Sequence, residues 1–203
     1  LPGPQVSAAE VEACFDYVVQ HLPKQFLVIS GGLAPGVPEN FYARLATLAK
    51  AHGVRVVLDT NGPALAEALK VGVYLFKPSL RELRDLIGQD LPDQDSQISA
   101  AQQLIQRGQA EIVAVSLGAD GAMVVSSDQV WWARAVHVNV QTTIGAGDSF
   151  VAGMVWALSR ESSLLKAFQF GMASGAAALL ARGTSLSQAS DVHELLPRVT
   201  VNS

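Results

Sequence analysis

Cysteine is nearly absent. Cys14 is the single one, so no internal disulfide can form. That fits a reducing compartment, and a cytoplasmic location is the expectation. Charge is scarce too: 16% of the 203 residues are charged, and 14 lysines and arginines against 18 aspartates and glutamates leave a net charge of −4. No basic excess points to nucleic acid or to an anionic membrane surface as a partner. Long apolar runs are missing; residues 26–29 and 176–181 fall far short of the roughly 20 residues that span a bilayer. The four histidines (His21, His52, His137 and His193) show neither H-x-H nor H-E-x-x-H spacing, so nothing supports zinc. Repeats, low-complexity tracts and an interdomain linker are all lacking. So are an initiator methionine and a signal-peptide pattern at Leu1-Pro2-Gly3-Pro4. A chain that starts in this way is expected to be processed or to be a piece of a longer one.

What is present is apolar and periodic. Hydrophobic residues make up 49% of the chain and mean hydropathy is +0.27, which excludes disorder. Ser7 and Glu10 have capping-box spacing ahead of a helical repeat at Val11, Phe15, Val18, Val19 and Leu22. Short apolar runs at 26–29, 54–58, 73–76 and 112–115 read as buried strands. Helical patterns lie between them: Phe41 to Ala49 with Pro38 in the first turn, 61–69, 79–87, and 96–107 beyond an acidic loop at 89–95. Runs at 122–125 and 130–133 flank Ser126-Ser127-Asp128 as a hairpin, with Trp131 and Trp132 packing on opposite faces. A further strand is expected at 136–140, then helices near 145–159, 162–180 and 191–196. Strands alternating with helices predict one α/β domain over residues 1–203: a doubly wound, mainly parallel sheet with helices on both faces.

In such a sheet ligands collect outside the carboxyl ends of the strands. The residues there are Ser30-Gly31-Gly32, Asp59-Thr60-Asn61, Lys77-Pro78-Ser79 and Ser116-Leu117-Gly118. Turn chemistry alone would enrich the same residue types. The strongest local feature is Thr142-Thr143-Ile144-Gly145-Ala146-Gly147-Asp148, small residues opening directly onto a helix. The free amides of a first helical turn, with the dipole behind them, favour an anion. Asp148 in that turn suits a general base for a hydroxyl attacking a phosphoryl group, or it simply complements the dipole.

Common fingerprints do not match here. A dinucleotide motif needs glycine where Phe150 stands, a Walker loop needs Lys-Ser/Thr where Asp148-Ser149 stands, and Val151 breaks a serine elbow at Ser149. Ser79 and Glu82 have capping-box spacing. They can equally place Lys77 near phosphates and Glu82 near a hydrated magnesium ion. Gly118 and Gly121 can admit a nucleotide or only make a turn.

Together, Ser30 to Gly36, Lys77-Pro78-Ser79 with Glu82, Ser116-Leu117-Gly118 with Gly121, and Thr143 to Asp148 resemble the ribokinase-type (phosphofructokinase B) family of carbohydrate kinases. The resemblance implies a ribokinase-like fold and transfer of phosphate from ATP to a phosphorylated ketohexose. Fructose 6-phosphate, giving fructose 1,6-bisphosphate, is the leading substrate; 1-phosphofructokinase and tagatose-6-phosphate kinase activities are the close alternatives. It assigns Asp148 the role of base and Gly145, Ala146 and Gly147 that of the anion hole. Lys77 and Ser79 would face the nucleotide phosphates, and Glu82 a magnesium ion through water. Ser116, Gly118 and Gly121 would line the nucleotide site, with Met172, Gly175 and Ala176 walling the adenine. A potassium ion would lie near Thr142, Ile144, Ala178, Gly183 and Ser185.

The chain departs from that family pattern in three places. Ser79 stands where the family usually has Asn, and Thr142 where many members have Asp. The N-terminal part of the family chain, with its first strands, β-lid and sugar-gripping glycine loop, is absent. The expected reading is therefore the C-terminal nucleotide-binding and catalytic portion of a kinase that is a homodimer when intact. A catalytically silent nucleotide-binding fragment is the alternative.

Overall fold

Each of the first four strands ends at or just before a polar residue, and the helices between them bury one stripe each. The chain therefore returns to the same sheet edge again and again. The computed structural model describes residues 3–181 and 187–203. Helix α1 (Ala8–Gln20) leads to β1 (Phe26–Ser30), α2 (Phe41–Ala51), β2 (Arg55–Asp59), α3 (Gly62–Val71) and β3 (Val73–Phe76). Helices α4 (Leu80–Ile87) and α5 (Gln94–Gln106) precede β4 (Ala110–Ser116) and the hairpin β5 (Ala122–Val125) and β6 (Val130–Ala133). Helices α6 (Ala146–Leu158), α7 (Leu164–Leu180) and α8 (Ala189–Leu195) follow, then a short β7 (Val201–Asn202).

Among the described residues the strands form one sheet in sequential order, β1 to β7, parallel through β4 and antiparallel beyond it. The α/β sheet with helices on both faces is as expected. One apolar cluster packs α1 to α5 against one face through Leu45, Leu69, Leu83, Leu104 and Phe76. A second packs α6, α7 and α8 against the other through Met154, Phe168, Ala173 and Leu195. Trp132 joins the first cluster and Trp131 the second, one indole to each face. Each large apolar side chain so buried contributes about 1.5–3 kcal/mol.

Two expectations need correction. Residues 136–140 form no strand. The free edge of β6 is taken by β7, with Trp132 opposite Asn202 and Ala133 opposite Val201. The segment instead buries Val136 in the second cluster, and the His137 carbonyl accepts from Arg198 Nη2 at 2.6 Å. Pro38 does not open α2. It precedes that helix by a turn, its carbonyl accepting the Phe41 N–H at 2.9 Å.

Candidate active site

Parallel strands with crossovers leave all their carboxyl ends on one edge. Ser30 ends β1, Asp59 ends β2, Lys77 follows β3, Ser116 ends β4, and α6 begins beside them. The start of α6 is unusual. Its N-cap is Gly145, in the left-handed region at φ +77, and no side chain caps the helix. The first turn is Ala146-Gly147-Asp148, so its amides are offered to whatever lies outside. Glycine at 145 gives the sharp entry without a Cβ penalty.

Lys77 is the cation of the site. Its N–H donates to the Leu58 carbonyl at 3.0 Å, which extends the β2–β3 pairing and turns the side chain inward. Only 6% of the residue is exposed. A buried ammonium needs a partner, and Nζ finds Asp59 Oδ1 at 3.1 Å. It also lies beside the open first turn: a Cβ placed on Gly147 would be 3.6 Å from Lys77 Nζ. The Asp59 carboxyl is held above its ordinary value, chiefly by burial. Lys77 opposes that shift, while the negative charges of Asp148 and Glu82 add to it. Three carboxylates and one ammonium thus act on one another across the edge of the sheet.

Asp148 is exposed, and its Oδ1 accepts from the Ser30 hydroxyl at 3.2 Å. At the start of α4, Ser79 and Glu82 form a complete capping box: Glu82 Oε2 accepts from Ser79 N at 2.7 Å and Oγ at 2.9 Å, and Ser79 Oγ accepts the Glu82 N–H at 3.2 Å. Ser79 is bridged to Ser116, whose N–H donates to the Pro78 carbonyl at 2.9 Å. Gly118 is exposed at φ +62. Gly121 has a packing reason of its own, since a Cβ there would lie 2.0 Å from the Ala133 carbonyl oxygen.

Met172 and Ala176 are buried in the second cluster, and Gly175 lets α7 approach α6, a Cβ there meeting the Ala146 carbonyl oxygen at 3.2 Å. Thr142 Oγ1 accepts the Ile144 N–H at 3.2 Å, and the Ile144 side chain is exposed. Gly183 and Ser185 lie outside the described residues.

The donor set suits hard cations. Carboxylate oxygens of Glu82, Asp59 and Asp148 are the ligand type magnesium takes. Among the described residues no three carboxylate, imidazole or thiolate groups form a ready metal cage. A magnesium ion that keeps most of its water fits this arrangement. The end of α7 is a separate place, tied to the loop before α6. The N–H groups of Gln141 and Thr142 donate to the Leu179 carbonyl at 2.8 and 3.4 Å, bringing that loop to the carbonyl-rich end of α7 that includes Ala178. Helix C-termini favour positive charge.

Sequence reasoning located the strand ends but gave no part to Asp59, Thr60, Tyr42 or Ser30 individually. The available signal was the position of Ser30, Asp59 and Thr60 at the ends of β1 and β2; Tyr42 lies in α2 and carried none. The pairing of Asp59 with Lys77, and of Ser30 with Asp148 across 118 residues of chain, appears only in the fold.

Residues 4–191 match the pfkB family of carbohydrate kinases. The chain is 39% identical over 193 residues to ATP-dependent 6-phosphofructokinase isozyme 2 of Mycobacterium tuberculosis, covering 95% of this chain and 57% of that one. It is 30% identical to the 1-phosphofructokinase of Bacillus subtilis, covering 98% and 65% respectively. The crystal structure of Escherichia coli phosphofructokinase-2 in complex with potassium superposes with a TM-score of 0.92 at 35% identity, covering 98% of this chain and 64% of that one. A tetrameric inhibited form of the same enzyme matches at 0.88 and 34%, with the same coverage. This chain therefore spans between 57% and 65% of the length of these relatives.

Proposed function

The chain belongs to the pfkB family of carbohydrate kinases, and from that premise we propose that the whole protein transfers a phosphoryl group from ATP to a hydroxymethyl group of a phosphorylated ketohexose. The observation that carries this reading is the uncapped start of α6, with Asp148 in its first turn and the buried Lys77 ammonium beside Gly147. Fructose 6-phosphate is the proposed substrate, because the 6-phosphofructokinase isozyme 2 of M. tuberculosis is 39% identical over 95% of this chain, ahead of the 36% over 82% of the Xanthomonas campestris 1-phosphofructokinase. The 1-phosphofructokinase and tagatose-6-phosphate kinase activities are the alternatives within the family.

In the proposed reaction Asp148 accepts the proton of the attacking hydroxyl as its oxygen bonds to the γ-phosphorus. The bond from that phosphorus to the bridging oxygen breaks, and ADP leaves with the electron pair. The first-turn amides of α6 after Gly145, those of Ala146 and Gly147 among them, stabilise the charge that spreads over the equatorial oxygens. Lys77 exchanges part of its contact with Asp59 for the incoming phosphate, and Ser79, Ser116, Gly118 and Gly121 border the nucleotide. Met172, Gly175 and Ala176 back the nucleotide site from α7. Magnesium, held through water by Glu82, would supply further neutralisation of phosphate charge when bound. Thr142, Ile144 and the end of α7 are the proposed surroundings of a potassium ion; an E. coli relative solved with potassium supports the ion, and the place is our own reading. We take the whole protein to be a homo-oligomer, at least a dimer, working in the cytoplasm.

General-base catalysis contributes about 10²–10⁴-fold. In the whole protein, Asp148→Asn is expected to lower kcat about 10³-fold while ATP binding by calorimetry stays near the parent's. Near-normal turnover by that variant would remove Asp148 as base. A second reading, that these 203 residues bind nucleotide without turning over, is favoured by their spanning 57% of the M. tuberculosis relative. A coupled ADP-release assay with fructose 6-phosphate, run on this chain and on the whole protein, separates the two. Turnover by the shorter chain would contradict the silent reading.

A further inference from the structure

The carboxylate of Asp148 is not held by its own helix. Its partner is Ser30, the last residue of β1, whose hydroxyl donates to Oδ1 at 3.2 Å. One exposed hydroxyl contact would mean little if Ser30 were on a loose turn. Here the turn is clasped. Gly31 takes φ +86 with open space around the position a Cβ would fill, so glycine is used for the bend and not for close packing. Its N–H donates to the Asp59 carbonyl at 2.9 Å. Its carbonyl accepts twice, from Thr60 Oγ1 at 2.7 Å and from the Tyr42 hydroxyl at 3.1 Å. Thr60 is 4% exposed, which makes it one of the few buried polar side chains, and a buried hydroxyl without an acceptor is costly. Three elements, β1, β2 and α2, therefore fix the residue next to Ser30. The turn is built to aim something, and what it aims is a hydroxyl at the carboxylate of α6.

From this geometry we infer that Ser30 is a positioning residue for Asp148: it caps Oδ1 and leaves Oδ2 to receive the proton of the reacting hydroxyl. The inference rests on the reading of Asp148 as base. The Ser30 hydroxyl has one proton to give, and giving it to Oδ1 directs the remaining lone pairs outward. Near-attack geometry is sensitive to displacements of this size. Thr60 acts one step further back, by holding Gly31.

The test is a set of variants in the whole protein: Ser30→Ala, Ser30→Thr and Thr60→Val, beside Asp148→Asn. Ser30→Ala is expected to lower kcat about tenfold, the rate equivalent of one lost hydrogen bond, with KM for ATP and for fructose 6-phosphate close to the parent's. Ser30→Thr, which keeps the hydroxyl, is expected to restore most of kcat. Thr60→Val, which touches neither Asp148 nor substrate, is expected to lower kcat by a smaller factor than Ser30→Ala. Crystal structures of the Ser30 variants give a readout independent of turnover: the Asp148 carboxylate rotates away in Ser30→Ala and returns in Ser30→Thr. Should Ser30→Ala fail to fold, Ser30→Cys, nearly the same shape with a weak donor, takes its place in each comparison. A kcat for Ser30→Ala within twofold of the parent, or an Asp148 carboxylate that does not move, overturns the inference. So does a loss that Ser30→Thr fails to restore. If instead Asp148→Asn turns over normally, the base assignment fails, and the crystal structures still decide whether Ser30 positions the carboxylate.

Discussion

Helices α4 and α6 both begin near the carboxyl edge of the sheet, and they treat their exposed amides in opposite ways. The start of α4 is closed: Ser79 and Glu82 satisfy each other's N–H groups, so two of its donors are already taken. The start of α6 is open: a left-handed glycine enters it, no side chain caps it, and Ala146 and Gly147 keep the approach clear. The two differ in what a ligand could gain. Donors already satisfied offer a phosphate little, whereas unspent donors with a dipole behind them offer a ready site. Glycines divide along the same line. Gly145 and Gly147 leave space, while Gly121 fills it, pressed against the backbone of β6.

The largest expected effect comes from testing that division. Gly121→Ala would drive a Cβ to 2.0 Å from the Ala133 carbonyl oxygen, at a φ of +113 that side chains rarely adopt. A loss of about 3 kcal/mol in unfolding free energy is expected, read by urea denaturation. A shift within ~0.5 kcal/mol would return Gly121 to the class of open glycines.

Gly147→Ala should do the reverse. The new methyl would sit 3.6 Å from Lys77 Nζ, an ordinary contact, so the fold accepts it. Replacing glycine inside a helix gains up to about 1 kcal/mol. The same methyl narrows the approach to the first-turn amides without removing one, and kcat/KM is expected to fall about tenfold, part of the roughly 10²–10³-fold that losing one such donor costs. Stability and activity moving together would show that the opening is not where the anion binds.

Breaking the closed start is a smaller matter. Ser79→Ala removes the acceptor for the Glu82 N–H and one donor to its carboxylate. A loss of about 1 kcal/mol is expected, the usual worth of such a cap. An unchanged unfolding free energy would mean that Ser79 is kept for the nucleotide and not for the helix.

This contrast also explains which parts of the molecule were readable in advance. Capping boxes, apolar stripes and strand ends are local, so Ser7, Ser79, the hairpin at 122–133 and the run into Asp148 could be read residue by residue. The segment at 136–140 alternates like a strand but, among the described residues, pairs with none, while the edge of β6 is met by β7 from the far end of the chain. Likewise nothing local says that Gly121 faces a backbone oxygen, or that Lys77 spends its charge on Asp59. Met172 and Ala176 read as a ligand wall by resemblance, and the structure buries them between helices. Pairings across distant strand ends are set by the fold, and a single sequence carries no trace of them. Val28 belongs here too: its strand reads as buried, yet the side chain is 44% exposed on its face of the sheet, and only Ile29 of β1 is buried.

The smallest effect separates two kinds of closed start by pH. Asp93 caps α5, its Oδ1 accepting the Ser96 N–H at 2.9 Å, and this hydrogen bond holds its carboxyl below the ordinary value of 3.8. Ser163 caps α7 through a hydroxyl that accepts the Lys166 N–H at 3.3 Å. A folded-state pKa below the unfolded one means the unfolded chain takes up the proton first as pH falls. The stabilisation from Asp93 is therefore complete above the ordinary carboxylate value and is lost as pH drops through the lower, folded one. The hydroxyl of Ser163 does not titrate in this range. The urea midpoint difference between the parent and Asp93→Ala should shrink from pH 7 toward about pH 3. The difference between the parent and Ser163→Ala should hold steady over the same range. Parallel behaviour of the two variants would show that the charge on Asp93, as distinct from its hydrogen bond, adds nothing to the start of α5.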